Sequence, residues 1–258
     1  MKKHRTLFIT LIVTALVGAG IYNIYRGNGF KEVVRIINDK IGRSKSTSKT
    51  KTFNKQQYSV DDPSSQWVIV NKIRPLKPMD YTPAQLVAPD IKLRFDPTYS
   101  EMLVSSVIAT PLKQLVEGAS KDGLSLMLAS GYRSYLAQQS IYNISVNDIG
   151  QAATDQQNAR AGYSEHQTGL AVDMEPTSRH CETENCFADT PEGKWLASNA
   201  YKYGFIIRYP QNKQDVTGYS YESWHLRYVG IDLATQMHSS RIETLEEFFG
   251  LLNAPNYL

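Results

Sequence analysis

The chain has 258 residues, of which 41% are hydrophobic and 21% charged, so it can bury one core of roughly 150 to 200 residues and carry shorter appendages. Its net charge of +3 is unevenly spread, because residues 1–25 carry +3 and residues 26–57 carry +7, which leaves −7 on residues 58–258. Binding to phosphates needs basic residues on the folded domain itself, so this acidic remainder argues against nucleic acid as its main partner.

The first 25 residues have the composition of an export signal. Three basic residues precede an uncharged run from Thr6 to Tyr25, whose 20 residues match the length of a membrane-spanning helix. The small residues Val17-Gly18-Ala19 offer a site for a signal peptidase, and a short buried helix is a further alternative. We expect residues 1–25 to remain as a single-pass anchor in the cell membrane, with everything after Tyr25 outside the cytoplasm.

Residues 26–57 are predicted to connect this anchor to the folded domain. Apolar residues recur at roughly helical spacing among basic ones between Gly27 and Ile41, which is typical of an amphipathic helix on a membrane surface. A solvated helix or a coiled stalk fits the same pattern. From Arg43 to Gln57 the chain has too few apolar residues to fold, so we expect a flexible linker. The folded domain would then span residues 58–258.

Apolar periodicity and turn residues predict helices and short strands in mixed order within the folded domain. Thr110 and Pro111 have the residue types that cap and begin a helix, and Gly150 is expected to interrupt a longer one. The predicted strands are residues 67–70, 124–130, 205–209 and 224–229, and the predicted helices are residues 110–123, 135–161, 192–203 and 245–252. This mixture indicates the α+β class.

The only two cysteines, Cys181 and Cys186, lie in a polar loop with four residues between them. In an exported protein this spacing permits a small disulfide-closed loop, which is our prediction. Two free thiols are one alternative. A second metal site that includes the neighbouring His180 is another, although two Cys and one His would be a poor set for a structural zinc.

Two further stretches carry the residues of a metal site: His166 with Asp173, and His225 with Glu222 three residues before it. Neutral imidazoles and a carboxylate are zinc ligands, and a catalytic zinc keeps three protein ligands and one open position. His166, Asp173 and His225 would supply that set, which leaves Glu222 as the candidate general base. The same ligand types can hold Fe(II), but export to an oxidising compartment favours zinc.

His166 and Asp173 are seven residues apart, a separation that would put them on opposite faces of a regular strand. They can meet at one ion only if the backbone bends between them, and Gly169 tolerates such a bend. Leu170 to Val172 would then form a short buried strand that delivers Asp173.

Three motifs in the chain carry a resemblance to a known family. The pattern Ser-x-His-x-x-Gly-x-Ala-x-Asp is met from Ser164 to Asp173, Glu-x-Trp-His-x-Arg-Tyr from Glu222 to Tyr228, and Ser-Gly-Tyr-Arg-Ser from Ser130 to Ser134. With these motifs in this order, the chain resembles the LAS metallopeptidases, named for lysostaphin, D-Ala-D-Ala carboxypeptidases and sonic hedgehog. It is most similar to the VanY-type carboxypeptidases. The resemblance covers roughly residues 80–240 and leaves out the N-terminal quarter.

This resemblance implies a zinc carboxypeptidase that removes the terminal D-alanine from peptidoglycan stem peptides. Zinc held by His166, Asp173 and His225 would activate a water, and Glu222 would take its proton and return it to the leaving amine. The resemblance also implies a small, mostly antiparallel sheet with the zinc on one face. We expect the chain to act as a monomer.

The resemblance assigns further roles around the scissile bond. Arg133 would engage the substrate and stabilise the tetrahedral intermediate, Ser164 and Gln138 would hold the terminal carboxylate, and Trp224 would form a wall. A salt bridge at the sheet edge is the alternative for Arg133, and local capping and packing are the alternatives for the other three. Arg227 and Tyr228, which end the second motif, are interpreted as structural residues.

Two other functional classes fit less well. A serine D,D-carboxypeptidase needs Ser-x-x-Lys and Lys-Thr-Gly, but the match from Ser46 to Lys49 lies in the linker and the second motif is absent from the sequence. A non-enzymatic wall-binding module that keeps zinc for stability would not need Glu222 beside a complete ligand set. The motifs do not separate a D,D-carboxypeptidase that acts on pentapeptides from an L,D-carboxypeptidase that acts on tetrapeptides.

Overall fold

A computed structural model of the protein describes residues 53–258, so the predictions of a membrane anchor and of an amphipathic segment after it lie outside the described residues. Within the described range, no helix is both long and apolar enough to cross a membrane. The compact unit starts at Phe53. The ring of Phe53 packs against those of Trp67 and Phe248, with 5.5 Å between ring centroids in each pair.

The described residues combine two small antiparallel sheets with helices, which confirms the α+β class predicted from the sequence. The strands are β1 (Leu86–Val87), β2 (Val104–Ser105), β3 (Leu126–Ser130), β4 (Ala171–Pro176), β5 (Phe205–Tyr209) and β6 (Glu222–Tyr228). The helices are α1 (Ser106–Lys121), α2 (Tyr135–Ile149), α3 (Gln151–Gln157), α4 (Pro191–Asn199), α5 (Gln214–Thr217), α6 (Ile231–Ser240) and α7 (Leu245–Phe249). β1 pairs with β2, and the other strands form one sheet in the order β3-β4-β6-β5.

One face of the four-stranded sheet shares a hydrophobic core with α1. The helix contributes a stripe of fully buried residues at spacings of three and four: Ile108, Leu112, Leu115 and Ala119. Val172 of β4 and Leu226 of β6 belong to the same core and are register partners. Because side chains alternate along a strand, their neighbours Asp173 and His225 point to the opposite face. The hydrophobic pattern therefore sets which face of the sheet carries the polar site.

The strand predicted from Trp67 to Val70 is wrong. All four residues are at most 2% exposed, but they pair with no strand of residues 53–258. Trp67 and Ile69 pack in one apolar cluster, whereas Val68 and Val70 pack in another. The segment passes between two hydrophobic clusters, so its side chains are apolar on both sides. Its backbone nevertheless pairs with no strand of the described residues.

The helix boundaries near Pro111 and after Gly150 differ from the predicted ones. The helix expected to begin at Thr110 begins at Ser106, and Pro111 lies inside it, where it removes one backbone hydrogen bond. The buried stripe continues through that position and keeps the segment helical. Gly150, with a φ of 80°, interrupts the long helix at the expected place and separates α2 from α3. α3 ends at Gln157, four residues before the predicted end.

Candidate active site

Three elements bring the proposed metal ligands together. Asp173 of β4 and His225 of β6 are direct register partners across the sheet. His166 lies in a short 3-10 helix, Glu165–Thr168, just before β4. This helix ends at Gly169, whose φ of 66° turns the chain into the strand. The bend expected at Gly169 is therefore present. It allows His166 and Asp173 to meet although they are seven residues apart in the chain.

The side chains of these residues converge on one point. His166 Nε2 lies 3.3 Å from Asp173 Oδ2, and His225 Nδ1 lies 3.2 Å from Asp173 Oδ1. One ligand atom from each of the three residues lies within 4.8 Å of the others, and all three residues are buried. Asp173 Oδ1 has no hydrogen-bond partner among the described residues. Two imidazole nitrogens beside a buried carboxylate oxygen without a partner fit a divalent metal such as zinc.

Neighbouring groups orient two of these ligands. His166 Nδ1 lies 2.6 Å from the Gly131 carbonyl oxygen, which leaves Nε2 facing Asp173. Arg133 donates from Nη2 to Asp173 Oδ2 at 2.6 Å and from Nε to Ser130 Oγ at 3.0 Å. Partners of this kind fix the ring orientation and the carboxylate geometry of a metal site. The structure thus joins Arg133 directly to a candidate ligand.

The charges around the ligands set their protonation. Burial lowers the pKa of His166 to about 4, and the charge of Arg133 acts in the same direction. Burial opposes ionisation of Asp173, but both histidines and Arg133 outweigh it and hold its pKa well below the usual range. A neutral imidazole and an ionised carboxylate are the forms that bind metal. For His225, burial opposes the charge, but the carboxylates of Asp173 and Glu165 outweigh it and raise its pKa to about 9.

Glu222 begins β6 and reaches back toward the ligands. Its Oε2 lies 3.6 Å from His225 Nδ1, so the carboxyl is beside the ligand cluster. Burial raises its pKa to about 7, and the charge of His225 only partly opposes that rise. A carboxyl with a pKa near neutrality can both accept and return a proton, which is what a general base and acid must do.

The ligands open onto a cleft of about 730 Å³. All eight residues predicted for catalysis, metal binding and substrate binding line it: Glu222, Arg133, His166, Asp173, His225, Ser164, Gln138 and Trp224. Gln138 is 1% exposed and donates from Nε2 to the Ala159 carbonyl at 2.8 Å. One N–H of its amide group is therefore already bonded to the backbone. Ser164 is buried and Trp224 is half-buried against the hydrophobic core.

A disulfide-closed loop forms one wall of the cleft. Cys181 and Cys186 are joined by a disulfide, and residues 183–186 line the cleft. Arg94 ties the loop to the sheet, because it donates to Glu175 of β4 at 3.1 Å and to Glu182 of the loop at 2.6 Å. The disulfide therefore closes the loop on itself, and the two ion pairs of Arg94 hold it against the sheet.

Sequence reasoning missed a buried charged network behind His225. Glu165, Arg208 and Glu246 are each at most 1% exposed and are linked by ion pairs, and Arg227 joins them. Of these, only Arg227 is one of the residues that define a recognised motif, where it is interpreted as structural. Glu165 stands next to the predicted ligand His166, which is the one local signal that could have pointed to it. The others lie on separate elements and have no shared motif.

The chain also matches known proteins in sequence. The family model described as "D-alanyl-D-alanine carboxypeptidase", VanY, matches residues 101–231. The chain is 37% identical over 265 residues to the "putative carboxypeptidase YodJ" of Bacillus subtilis (strain 168), and the match covers 96% of each chain.

The chain is also similar to solved structures of peptidases. The chain shares 42% identity and a TM-score of 0.69 with a structure of the LdcB LD-carboxypeptidase, over 74% of this chain and 88% of that one. It shares 33% identity and a TM-score of 0.55 with a mutant of the vancomycin resistance D,D-pentapeptidase VanY in complex with Zn(II), over 70% of this chain and 97% of that one.

Proposed function

This chain belongs to the VanY family of D-alanyl-D-alanine carboxypeptidases, and we propose that it is a zinc enzyme that cleaves the terminal D-alanine from peptidoglycan stem peptides. The observation that carries the proposal is the convergence of His166, Asp173 and His225 within 4.8 Å, with Glu222 beside them in one cleft. A zinc ion held by these three residues would supply an acidified water and polarise the scissile carbonyl.

Glu222 carries the proton transfers of the proposed reaction. It accepts the proton of the water as the oxygen attacks the carbonyl carbon, and it delivers that proton to the amine of D-alanine as the C–N bond breaks. The products are the shortened stem peptide and free D-alanine. The position of Glu222 supports this role, because its carboxyl lies 3.6 Å from His225 Nδ1 and faces the cleft.

Arg133 and Ser164 are the proposed groups for substrate recognition. The Arg133 guanidinium lies at the cleft beside Asp173, where its N–H groups can stabilise negative charge on the scissile oxygen. Ser164 contributes a hydroxyl that can donate to the terminal carboxylate, and Trp224 contributes a wall. Gln138 is 1% exposed and donates one of its two amide N–H groups to the Ala159 carbonyl, so we propose that its main role is to shape the cleft.

A second candidate is L,D-carboxypeptidase activity on tetrapeptide stems, which the similarity to the LdcB LD-carboxypeptidase favours. One experiment separates the two. The full chain, loaded with zinc, is incubated with a pentapeptide stem that ends in D-Ala-D-Ala and with a tetrapeptide stem that ends in one D-alanine, and D-alanine release is measured. We expect preference for the pentapeptide. Preference for the tetrapeptide would establish the second candidate, and no release from either would overturn both.

We also propose that residues 1–25 anchor the enzyme in the cell membrane with the catalytic domain outside. The support is the run of 20 uncharged residues after three basic ones. Such an anchor would place the cleft in the compartment that holds its substrate and that permits the Cys181–Cys186 disulfide.

A further inference from the structure

Behind the proposed metal site, two buried polar atoms face each other without another partner. Glu165 Oε2 lies 3.7 Å from His225 Nε2, and neither atom has a hydrogen-bond partner within residues 53–258. The Glu165 side chain is 0% exposed and that of His225 is 4% exposed. The Nδ1 atom of the same imidazole faces Asp173 on the other side of the ring. His225 therefore lies between a candidate metal position and a buried carboxylate.

The other oxygen of Glu165 is firmly held. Oε1 accepts hydrogen bonds from Arg208 Nε and from Arg227 Nη1, both at 2.8 Å. Arg208 in turn donates to both oxygens of Glu246, at 2.6 and 2.9 Å. The two arginines and two glutamates balance in charge, so the group is neutral as a whole. Oε1 therefore pairs with both arginines. Oε2 pairs with neither of them and points toward His225.

We propose that Glu165 is a positioning residue that orients His225 for metal binding. It accepts the Nε2–H of the ring, which fixes the tautomer whose unprotonated Nδ1 faces Asp173. A shift of about 0.5 to 1 Å by either side chain brings the 3.7 Å separation to hydrogen-bond distance. Histidine ligands of metals almost always donate their second ring N–H to such a partner.

The arrangement at His166 supports this assignment. There Nδ1 lies 2.6 Å from the Gly131 carbonyl oxygen, and Nε2 faces the metal position. His225 is used in the opposite sense, with Nδ1 toward the metal position and Nε2 toward Glu165. Each of the two histidines thus has one acceptor behind it, supplied by the backbone for His166 and by a buried carboxylate for His225.

The inference rests on the metal site of the proposed function, and zinc affinity tests it. The full-length chain is stripped of metal, and the zinc dissociation constant is measured by competition with a chromophoric chelator. Glu165→Gln keeps the shape of the side chain and removes the carboxylate, so we expect zinc to bind about 10-fold to 100-fold more weakly. Glu246→Gln is the matched control, because it makes the same change in the same network without contact to His225. Its zinc affinity should stay within about twofold of the parent, whatever its loss of stability.

A second measurement keeps the test decisive if Glu165→Gln does not fold. In the zinc-loaded parent labelled with 15N-histidine, nuclear magnetic resonance should show His225 protonated at Nε2 and His166 protonated at Nδ1. Unchanged zinc affinity in Glu165→Gln, equal weakening in both variants, or a proton on His225 Nδ1 would overturn the inference and leave the proposed function intact. Failure of the parent to bind zinc would overturn both.

Discussion

Asp173 and His225 face each other as register partners on adjacent antiparallel strands, with Oδ1 and Nδ1 3.2 Å apart. Their positions are set by the backbone ladder rather than by flexible loops, which is how a ligand pair is held accurately. The partners Val172 and Leu226, one residue away on each strand, are buried in the core on the other face. The same strand register therefore determines both the core and the site.

The role of Glu222 is tested by Glu222→Gln, which keeps its shape and removes the proton acceptor. We expect D-alanine release to fall about 100-fold to 10,000-fold, because general-base catalysis contributes that much, while one zinc per chain stays bound. Turnover and metal content are measured on the same preparation. Glu243→Gln, the same change at an exposed carboxylate outside the cleft, should leave turnover unaltered. Near-parental activity of Glu222→Gln would show that another group is the base.

Removal of the metal should abolish activity reversibly. A chelator is expected to stop D-alanine release from the parent, and added zinc should restore it, since the ligand cluster is complete. His225→Ala should lose both bound zinc and turnover, because it removes one of three ligands. Elemental analysis gives the zinc content. Full turnover by metal-free parent protein would contradict the proposed mechanism.

Arg133→Lys separates catalysis from a salt bridge at the sheet edge. Lysine keeps a positive charge near Asp173 but lacks the planar set of donors of arginine. We expect kcat to fall on the order of 100-fold, as for loss of a donor to the developing oxyanion, with zinc still bound. Steady-state kinetics and thermal unfolding are compared. A loss of stability with unchanged kcat would assign Arg133 to the salt bridge alone.

Opening the Cys181–Cys186 loop should affect both stability and substrate binding. For a loop this short, replacing both cysteines by serine should lower the free energy of unfolding by about 2 kcal/mol. Because residues 183–186 line the cleft, KM should rise more than kcat falls. Denaturant unfolding and kinetics measure the two effects. Alkylation of the parent without reductant should leave its mass unchanged, and two alkylated thiols would show an open loop.

Membrane anchoring is tested by cell fractionation of the full chain. We expect the enzyme in the membrane fraction, because the apolar run after three basic residues is 20 residues long. Mass spectrometry of its N-terminus reports cleavage. A protein recovered from the medium with an N-terminus near Gly20 would show that the leader is a cleaved signal.

The cluster of His166, Asp173 and His225 could be predicted from the sequence because these residues lie in short motifs, and Gly169 marked the bend between the first two. Strand β5 could be placed because its apolar residues are contiguous, and β6 because Trp224, Leu226 and Tyr228 alternate with polar residues. Trp67 to Val70 was wrongly predicted as a strand because a segment that is buried on both sides has the same run of apolar residues as a buried strand. The sequence does not show whether a neighbouring strand is present to pair with it. The pairing of Arg208 with Glu165 and Glu246 could not be foreseen, because it joins residues that no local pattern connects.

The buried network also bears on the order in which the molecule folds. Asn71 donates to Glu246 across 175 residues of sequence, and Glu246 in turn holds Arg208 and through it Glu165. Closing so long a loop comes late, because its entropy cost must be met before the contact stabilises anything. The contact between Asn71 and Glu246 is therefore expected among the last of the network to form, whereas the ion pairs of Glu165 with Arg208 and Arg227 close shorter loops. If the chain is exported from its N-terminus, as we propose, this contact can form only after almost all of the chain has left the cytoplasm.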